Sequence, residues 1–495
     1  LKRFAPASAP WLTLVAVVAL LGLAIGGLVD GATGATVAGG WSLETSAGVS
    51  FLPGIALVYD SLSALFLLLV ALVSTAVLLF GLRYMDAYDG KPLYYALLSL
   101  LIAGMNGAVL AGDVFNLYVF IEVASIASYA LVAFGTGGRE IEAAFKYLML
   151  GAVASSAILL GIGLLYASTG LLNMGDLGAA IAAGQVPETT LLAVATLFLA
   201  GLGLKAAMMP FHAWLPDAHP SAPAPISAML SGLLIKTLGI YALVRILYVV
   251  IGMDGALGAP LQTLLLVLGC VSMVGGVLLA LGQTDLKRLL AYSSISQMGF
   301  VLVALGTNTW LGVAAGIYHA LNHALFKSAL FLCAGSLERI TGTRDITRMG
   351  GIARIAPATT VGAIGASLSI AGVPPFNGFW SKLLILIALF SAGLPIVGAI
   401  AAATAVLTLV TFVKVQHKVL FGALPDRLKG LKDVPASMSL PVVALALLCL
   451  LGGLLWPVGV QDLVENAAAS VRTDHPTNEA PGRYRRMVNA EGRQP

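Results

Sequence analysis

Seven ionisable side chains interrupt long apolar runs of this chain. Glu122 is central in the run 114–134, Lys205 lies in 190–209, and Lys236 is central in 224–250. His319, His323 and Lys327 lie in 311–337, and Lys382 lies in the second half of 359–390. Ionisable groups at the depth of a bilayer are costly and usually functional. The spacing of His319, His323 and Lys327 is i, i+4, i+8, which places all three on one helix face. With water between them, such a stripe passes a proton along the helix. The competing reading is a set of core residues bonded to backbone carbonyls. Two histidines on one face cannot flank a haem iron, and no carboxylate or cysteine on that face completes a metal site. Glu122 and Lys205 carry opposite charge at similar depth. A pair would stabilise both charges, and its separation would control when Lys205 releases a proton, although a static buried salt bridge is also open. Lys236 is a natural acceptor for that proton, since a buried lysine adapts readily to a transfer role. Arg245 lies nearer a segment end and is expected to snorkel.

The elements that must position these groups are membrane helices. Of 495 residues, 59% are apolar and 10% charged, whereas a soluble domain carries about 25% charged residues. A membrane helix needs roughly 20 apolar residues. Thirteen such segments are expected, near 10–29, 57–82, 93–111, 114–134, 144–168, 190–209, 224–250, 262–281, 289–305, 311–337, 359–390, 396–421 and 437–457. The fold class is all-α and polytopic. The polar remainder from about 464 reads as a mobile tail. The net charge of +4 has arginines of that tail or its approach behind it (Arg472, Arg483, Arg485, Arg486, Arg493), so no nucleic-acid surface is inferred. Cys270, Cys333 and Cys449 sit in apolar runs without metal spacing and read as small buried hydrophobes. The first residue is Leu1, so the start of the native chain is expected to be missing, and the first apolar run lacks the small-residue site of a cleaved signal.

Lysine and arginine alternate between the short loops. One side carries Lys2, Arg3, Arg83, Lys91, Arg139, Lys146, Lys287, Arg288, Arg339, Arg344, Arg348, Arg354, Lys414, Lys418, Arg427, Lys429 and Lys432. The loops 30–56, 169–189, 251–261 and 306–310 carry none. This puts residue 1 in the cytoplasm and the C-terminus outside, with the tail arginines against the trend. Two segments contain breakers beside a lysine: Pro210 and Pro216 follow Lys205, and Pro374 and Pro375 precede Lys382. Proline removes a helix hydrogen bond, and unwound backbone at membrane depth is tolerated only within protein or beside a watery cavity. The units 93–250 and 262–421 place these breaks correspondingly. Five segments per unit invert the second copy, which is a transporter signature. The expected organisation is N-terminal helices over 1–92, two half-channels over 93–250 and 262–421, a final helix over 437–457, and a tail over 464–495.

At these residues the chain resembles the antiporter-like subunits shared by respiratory complex I, membrane-bound hydrogenases and multi-subunit Mrp-type cation/proton antiporters. The resemblance covers almost the full length. It rests on Asp-Val-Phe-Asn-Leu-Tyr-Val-Phe-Ile-Glu (113–122), Pro-Phe-His-Ala-Trp-Leu-Pro-Asp-Ala (210–218), Asp-Leu-Lys-Arg-Leu-Leu-Ala-Tyr-Ser-Ser-Ile-Ser-Gln-Met-Gly (285–299), His-Ala-Leu-Phe-Lys (323–327) and the Pro-Pro-Phe-Asn-Gly-Phe-Trp-Ser-Lys run ending at Lys382. It implies that Glu122 pairs with Lys205 of the first broken helix, that Lys236 bridges onward, that His319, His323 and Lys327 form a central polar axis, and that Lys382 is the terminal relay residue. The family has fourteen core helices, so the first is expected to be absent here. The run 113–122 leans toward the D-type member of Mrp antiporters and its hydrogenase counterpart, and 322–335 leans toward hydrogenase and complex I members. The resemblance implies a prokaryotic cytoplasmic (inner) membrane and partners that include related antiporter-like subunits. No Rossmann fingerprint, iron–sulfur cysteine array or flavin site is present, so no cofactor and no redox centre are expected. Energy would come from a partner redox module or an ion gradient. The transported ion is H⁺ or Na⁺, the latter with hydroxyls such as those of Ser125 and Ser128 as ligands. A stand-alone carrier for a small organic solute and a structural anchor for a partner enzyme are the competing readings.

Overall fold

In lipid a backbone has to satisfy its polar groups within its own segment, and the apolar runs of this chain accordingly fold as helices. The computed structural model describes residues 8–31, 33–38, 43–44, 50–51 and 55–472. The helices are α1 (Ala9–Val29), α2 (Ser61–Tyr84), α3 (Lys91–Leu110), α4 (Val114–Val132), α5 (Gly138–Thr169), α6 (Met174–Ala182), α7 (Glu188–Lys205), α8 (Leu215–Ser221) and α9 (Ala224–Ile251). They continue with α10 (Gly258–Leu281), α11 (Leu286–Gly306), α12 (Trp310–Thr341), α13 (Pro357–Ala371), α14 (Asn377–Ser391), α15 (Pro395–Phe421), α16 (Ala436–Leu454) and α17 (Val460–Ala469). Between α1 and α2, β1 (Gly34–Ala38) pairs antiparallel with β4 (Ile55–Tyr59), and the two-residue strands β2 (Leu43–Glu44) and β3 (Ser50–Phe51) pair with each other.

Twelve of the described helices are long and apolar enough to cross a membrane. The remaining expected segment, 359–390, is two shorter apolar helices, α13 and α14, parted at the Pro374–Pro375 pair. The chain is therefore an all-α, multi-pass membrane protein. Two boundaries differ from the sequence reading. The segment 190–209 stops being helical at Lys205, ahead of Pro210. The polar tail read from about 464 begins later, because Val460–Ala469 is helical. Its Val464, Ala467 and Ala468 are buried as it packs on α2 and α12. Its short length and mixed polarity hid this amphipathic face. Residues 473–495 of the expected tail, and residues 1–7, lie outside the described residues.

Two three-helix units repeat one another. Asp113 caps α4 by accepting from the Asn116 amide at 2.6 Å, and Asp285 caps α11 by accepting from the Arg288 amide at 3.0 Å. Asp113 forms a β-bridge with Asn173, and Asp285 forms one with Asp345. The flanking amides match pair by pair: Val114 donates to Leu172 and Met174 to Gly112, while Leu286 donates to Arg344 and Ile346 to Thr284. Helices α5 and α12 are both 32 residues long and both end on a left-handed glycine, Gly170 and Gly342. That conformation is nearly free for glycine and closes a helix C-terminus. Every residue of the second set lies at one constant offset from its counterpart in the first. A broken helix follows each unit, α7–α8 in one case and α13–α14 in the other.

Candidate functional site

Lys205 is the last residue of α7, where the helix unwinds. The break is not left unsatisfied. The Trp214 indole donates to the Leu204 carbonyl at 2.9 Å, and the Met209 amide donates to the Ser272 hydroxyl at 3.0 Å. Buried backbone groups need such partners. Gly239 of α9 lets that helix close on the unwound turn, since a Cβ there would sit 2.6 Å from the Ala206 Cα. Lys205 Nζ donates to the Ser125 hydroxyl at 2.8 Å and lies 3.5 Å from Glu122 Oε1 and 3.5 Å from the Tyr129 hydroxyl. The Ser155 hydroxyl donates to Glu122. The pair is lopsided: the Lys205 side chain is 1% exposed and that of Glu122 is 27% exposed. Glu122 therefore opens toward the outer face of α4, among exposed Phe115, Val119 and Ile126.

Lys236 is fully buried in a π-wound stretch of α9, Leu230–Tyr241. Its ammonium donates to the Ser231 carbonyl, and the Ser231 hydroxyl meets that of Ser294 at 2.8 Å. Lys236 makes no hydrogen bond to Lys205; the two lie on packed elements joined at Gly239 and Ala206. His319, His323 and Lys327 follow one buried face of α12. His319 Nδ1 meets the Ser381 hydroxyl at 2.9 Å. Lys327 donates to the Leu290 carbonyl at 2.7 Å and to the Ser293 hydroxyl at 2.5 Å. Among the described residues neither ring nitrogen of His323 has a hydrogen-bond partner, and Lys236, Lys327, His319 and Lys382 all act on it electrostatically. Lys382, in the first turns of α14, donates to the Ile370 carbonyl at 2.7 Å across the second break and lies 5.3 Å from the Phe300 ring centroid. Gly372, left-handed at φ 80°, leaves room for its stem. The seven residues thus fall into two groups: Glu122 with Lys205, and Lys236 with the α12 face and Lys382.

Three features escaped the sequence reading. Arg245 does not snorkel. It is buried and donates to Asp60 Oδ1 at 2.6 Å, because the start of α2, far off in sequence, brings a carboxylate to it. Lys287, read as a loop charge, is also buried, 3.1 Å from Glu338 and 3.2 Å from the Ala222 carbonyl. His219 on α8 is fully buried, its ring 4.5 Å from that of Phe331, with Lys327, Lys236 and Lys287 within electrostatic reach. Its neighbour in the motif 210–218 was the available signal. A fourth polar cluster joins the second break to α12. The Ser369 hydroxyl donates to Asn377 Oδ1 at 2.6 Å, and Asn377 Nδ2 donates to Asn322 Oδ1 at 2.8 Å. Among the described residues no group of three or more His, Cys, Asp or Glu could hold a metal ion. The three cysteines are free, Cys333 and Cys449 buried and Cys270 partly so.

Residues 111–408 match the family model described as NADH:quinone oxidoreductase/Mrp antiporter, TM, and residues 48–95 match that of the NADH-ubiquinone oxidoreductase (complex I) chain 5 N-terminus. The chain is 35% identical to the D-type subunit of the Na(+)/H(+) antiporter of Alkalihalophilus pseudofirmus, over 81% of this chain and 80% of that one. It is 36% identical to the N-type subunit of the NADH-quinone oxidoreductase of Desulforudis audaxviator, over 80% of this chain and 81% of that one. A protein of the Mrp complex from Dietzia sp., known from a solved structure, superposes with a TM-score of 0.85 at 28% identity, covering 94% of this chain and 93% of that one.

Proposed function

Since the chain belongs to the NADH:quinone oxidoreductase/Mrp-antiporter family of membrane subunits, we propose that it moves protons through its buried Glu, Lys and His side chains as one subunit of a larger membrane complex. The observation that carries this reading is the Glu122–Lys205 pair, set at the unwound end of α7 with 3.5 Å between its charges. A buried pair is a poor stabilising device. A pair whose acid faces outward can be pulled apart by a neighbour. The exposed edge of Glu122 would be expensive against lipid, which supports a partner subunit covering α4.

Separation of the pair leaves Lys205 as an unpaired buried ammonium, which favours loss of its proton. The acceptor is Lys236, on the helix that closes over the break. From there the His323, His319 and Lys327 face leads to Lys382. His219, Lys287 and Glu338 line a route from the lysine- and arginine-rich side to Lys327. The repeat of α3–α5 as α10–α12 supports two inverted half-channels, because the turn after α12 carries Arg344 and Arg348 whereas that after α5 carries no basic residue. The cytoplasmic membrane of a prokaryote is the expected setting. Lysine and histidine hold protons and repel Na⁺, which favours H⁺ as the ion within the relay.

The test is Lys205→Ala in the native complex. With assembly confirmed, pumping into vesicles is followed with a pH-sensitive dye, with and without sodium. Loss of the pH gradient is expected. An unchanged gradient would sink the path and favour a structural anchor.

A further inference from the structure

Asn377 and Ser381 stand one turn apart on α14, and His319 and Asn322 stand one turn apart on α12. These two faces are fastened together. Asn377 Nδ2 donates to Asn322 Oδ1 at 2.8 Å, and Asn322 Nδ2 donates to the Asn377 carbonyl at 3.1 Å. The Ser369 hydroxyl of α13 donates to Asn377 Oδ1 at 2.6 Å across the second break. One turn further along α14, the Ser381 hydroxyl lies 2.9 Å from His319 Nδ1 and 3.3 Å from the Gly378 carbonyl. Ser381 and His319 are both fully buried. On the other edge of the ring, His319 Nε2 has no hydrogen-bond partner among the described residues. A neutral imidazole carries one hydrogen, on either nitrogen, and the bond made by the other nitrogen decides which.

A serine hydroxyl has one hydrogen to give. Given to the Gly378 carbonyl, it leaves the Ser381 oxygen free to accept a hydrogen from Nδ1, and both bonds form at once. Given to Nδ1, it forfeits the bond to Gly378. Burial favours the arrangement with more polar groups paired. Resting on the proton-relay reading, we infer that Ser381 is a positioning residue: it keeps the hydrogen of neutral His319 on Nδ1 and makes Nε2 the one nitrogen through which protons enter and leave. A proton from one relay neighbour adds to the Nε2 lone pair and gives an imidazolium with a hydrogen on each nitrogen. The Nδ1 hydrogen stays bonded to Ser381 throughout. Release from Nε2 to the other neighbour restores the same neutral form. A hydroxyl suits this duty. A carboxylate in its place would stabilise the imidazolium and trap the proton, and an apolar group would leave a buried hydrogen unpaired. Lys382, the residue after Ser381, acts electrostatically on the same ring, so the bond that orients His319 also seats it beside the last station of the relay.

The experiment uses the assembled complex in lipid vesicles, with isotope-labelled histidine in this chain. Solid-state nitrogen NMR at alkaline pH reads the tautomer of His319, whose signals are identified by their loss in His319→Gln. A hydrogen on Nδ1 is expected. A hydrogen on Nε2, or a ring that stays protonated on both nitrogens, overturns the inference. Ser381→Ala and Ser381→Thr are compared with wild type by dye-detected pumping per assembled complex. Ser381→Ala is expected to lose roughly tenfold or more, the worth of a hydrogen bond to a charged group. Ser381→Thr, which keeps the hydroxyl, is expected to retain both pumping and the tautomer. Full pumping by Ser381→Ala, or an equal loss in both variants, overturns the inference and leaves a packing role. If neither variant assembles, the wild-type tautomer alone decides. Lys205→Ala is run alongside. Lys205→Ala inactive beside a fully active Ser381→Ala overturns the positioning role alone. Both variants fully active overturns the relay itself.

Discussion

The units α3–α5 and α10–α12 share a backbone but not a charge pattern. Glu122 is the ninth residue of α4, and the ninth of α11 is Ser294. The tenth, fourteenth and eighteenth residues of α5 are Tyr147, Gly151 and Ser155; those of α12 are His319, His323 and Lys327. In the first unit a hydroxyl on the long helix, Ser155, donates to a carboxylate on the preceding one. In the second an ammonium on the long helix, Lys327, donates to a hydroxyl on the preceding one, Ser293. One scaffold therefore holds an acid at one site and a base at the other. The acidic half of the first unit is completed by Lys205 from the broken helix, 3.5 Å from Glu122. The second unit has no carboxylate at the matching place, so its lysine is held by neutral oxygens alone.

That contrast can be broken in graded steps. The largest effect is expected from Lys327→Ala, which removes the lysine that ends the buried stripe of its unit's long helix. Pumping should fall by about a hundredfold or more, and dye-detected gradients in vesicles would show it. Near-normal pumping would mean that the second unit's base is dispensable. Glu122→Ala comes next. It strands the Lys205 ammonium in a buried site, so the assembled complex should lose about 1–3 kcal/mol in a denaturation series as well as activity. Retained stability would argue that the Ser125 and Tyr129 hydroxyls satisfy Lys205. The smallest effect is expected from the matched caps. Asp113→Ala and Asp285→Ala each delete an N-cap, worth about 1 kcal/mol. Asp285 should cost slightly more, because it also lies 3.3 Å from Arg344, a partly exposed pair that adds only a few tenths. Melting curves of the two variants compare them directly. A cost confined to one of them would break the equivalence of the units.

The helical segments were legible because lipid imposes a local rule: each run must be long, apolar and internally hydrogen-bonded. The two breaks were legible for the same reason, since proline next to a lysine violates that rule in plain view. The seven ionisable residues stood out against apolar neighbours, and the i, i+4, i+8 row on α12 followed from helix geometry. Arg245 was misjudged because its distance from a segment end is a local fact, whereas its partner Asp60 lies 185 residues away. Lys287 was misjudged likewise, its loop-like position concealing burial against α8, α9 and α12. His219 gave only a weak signal, being one histidine on a seven-residue helix.

What the sequence by itself determined is where the chain crosses the membrane, where it cannot stay helical, and which ionisable side chains lie at costly depth there. The tertiary structure decided which of them meet. It set Ser125, Glu122 and Tyr129 around Lys205, brought Asp60 to Arg245, left His323 beside three lysines with no hydrogen-bond partner among the described residues, and turned one edge of Glu122 outward. The physical reason is that the cost of burying a charge depends on its immediate apolar surroundings and can be read locally. The partner that offsets that cost comes from another helix, and only packing assigns it.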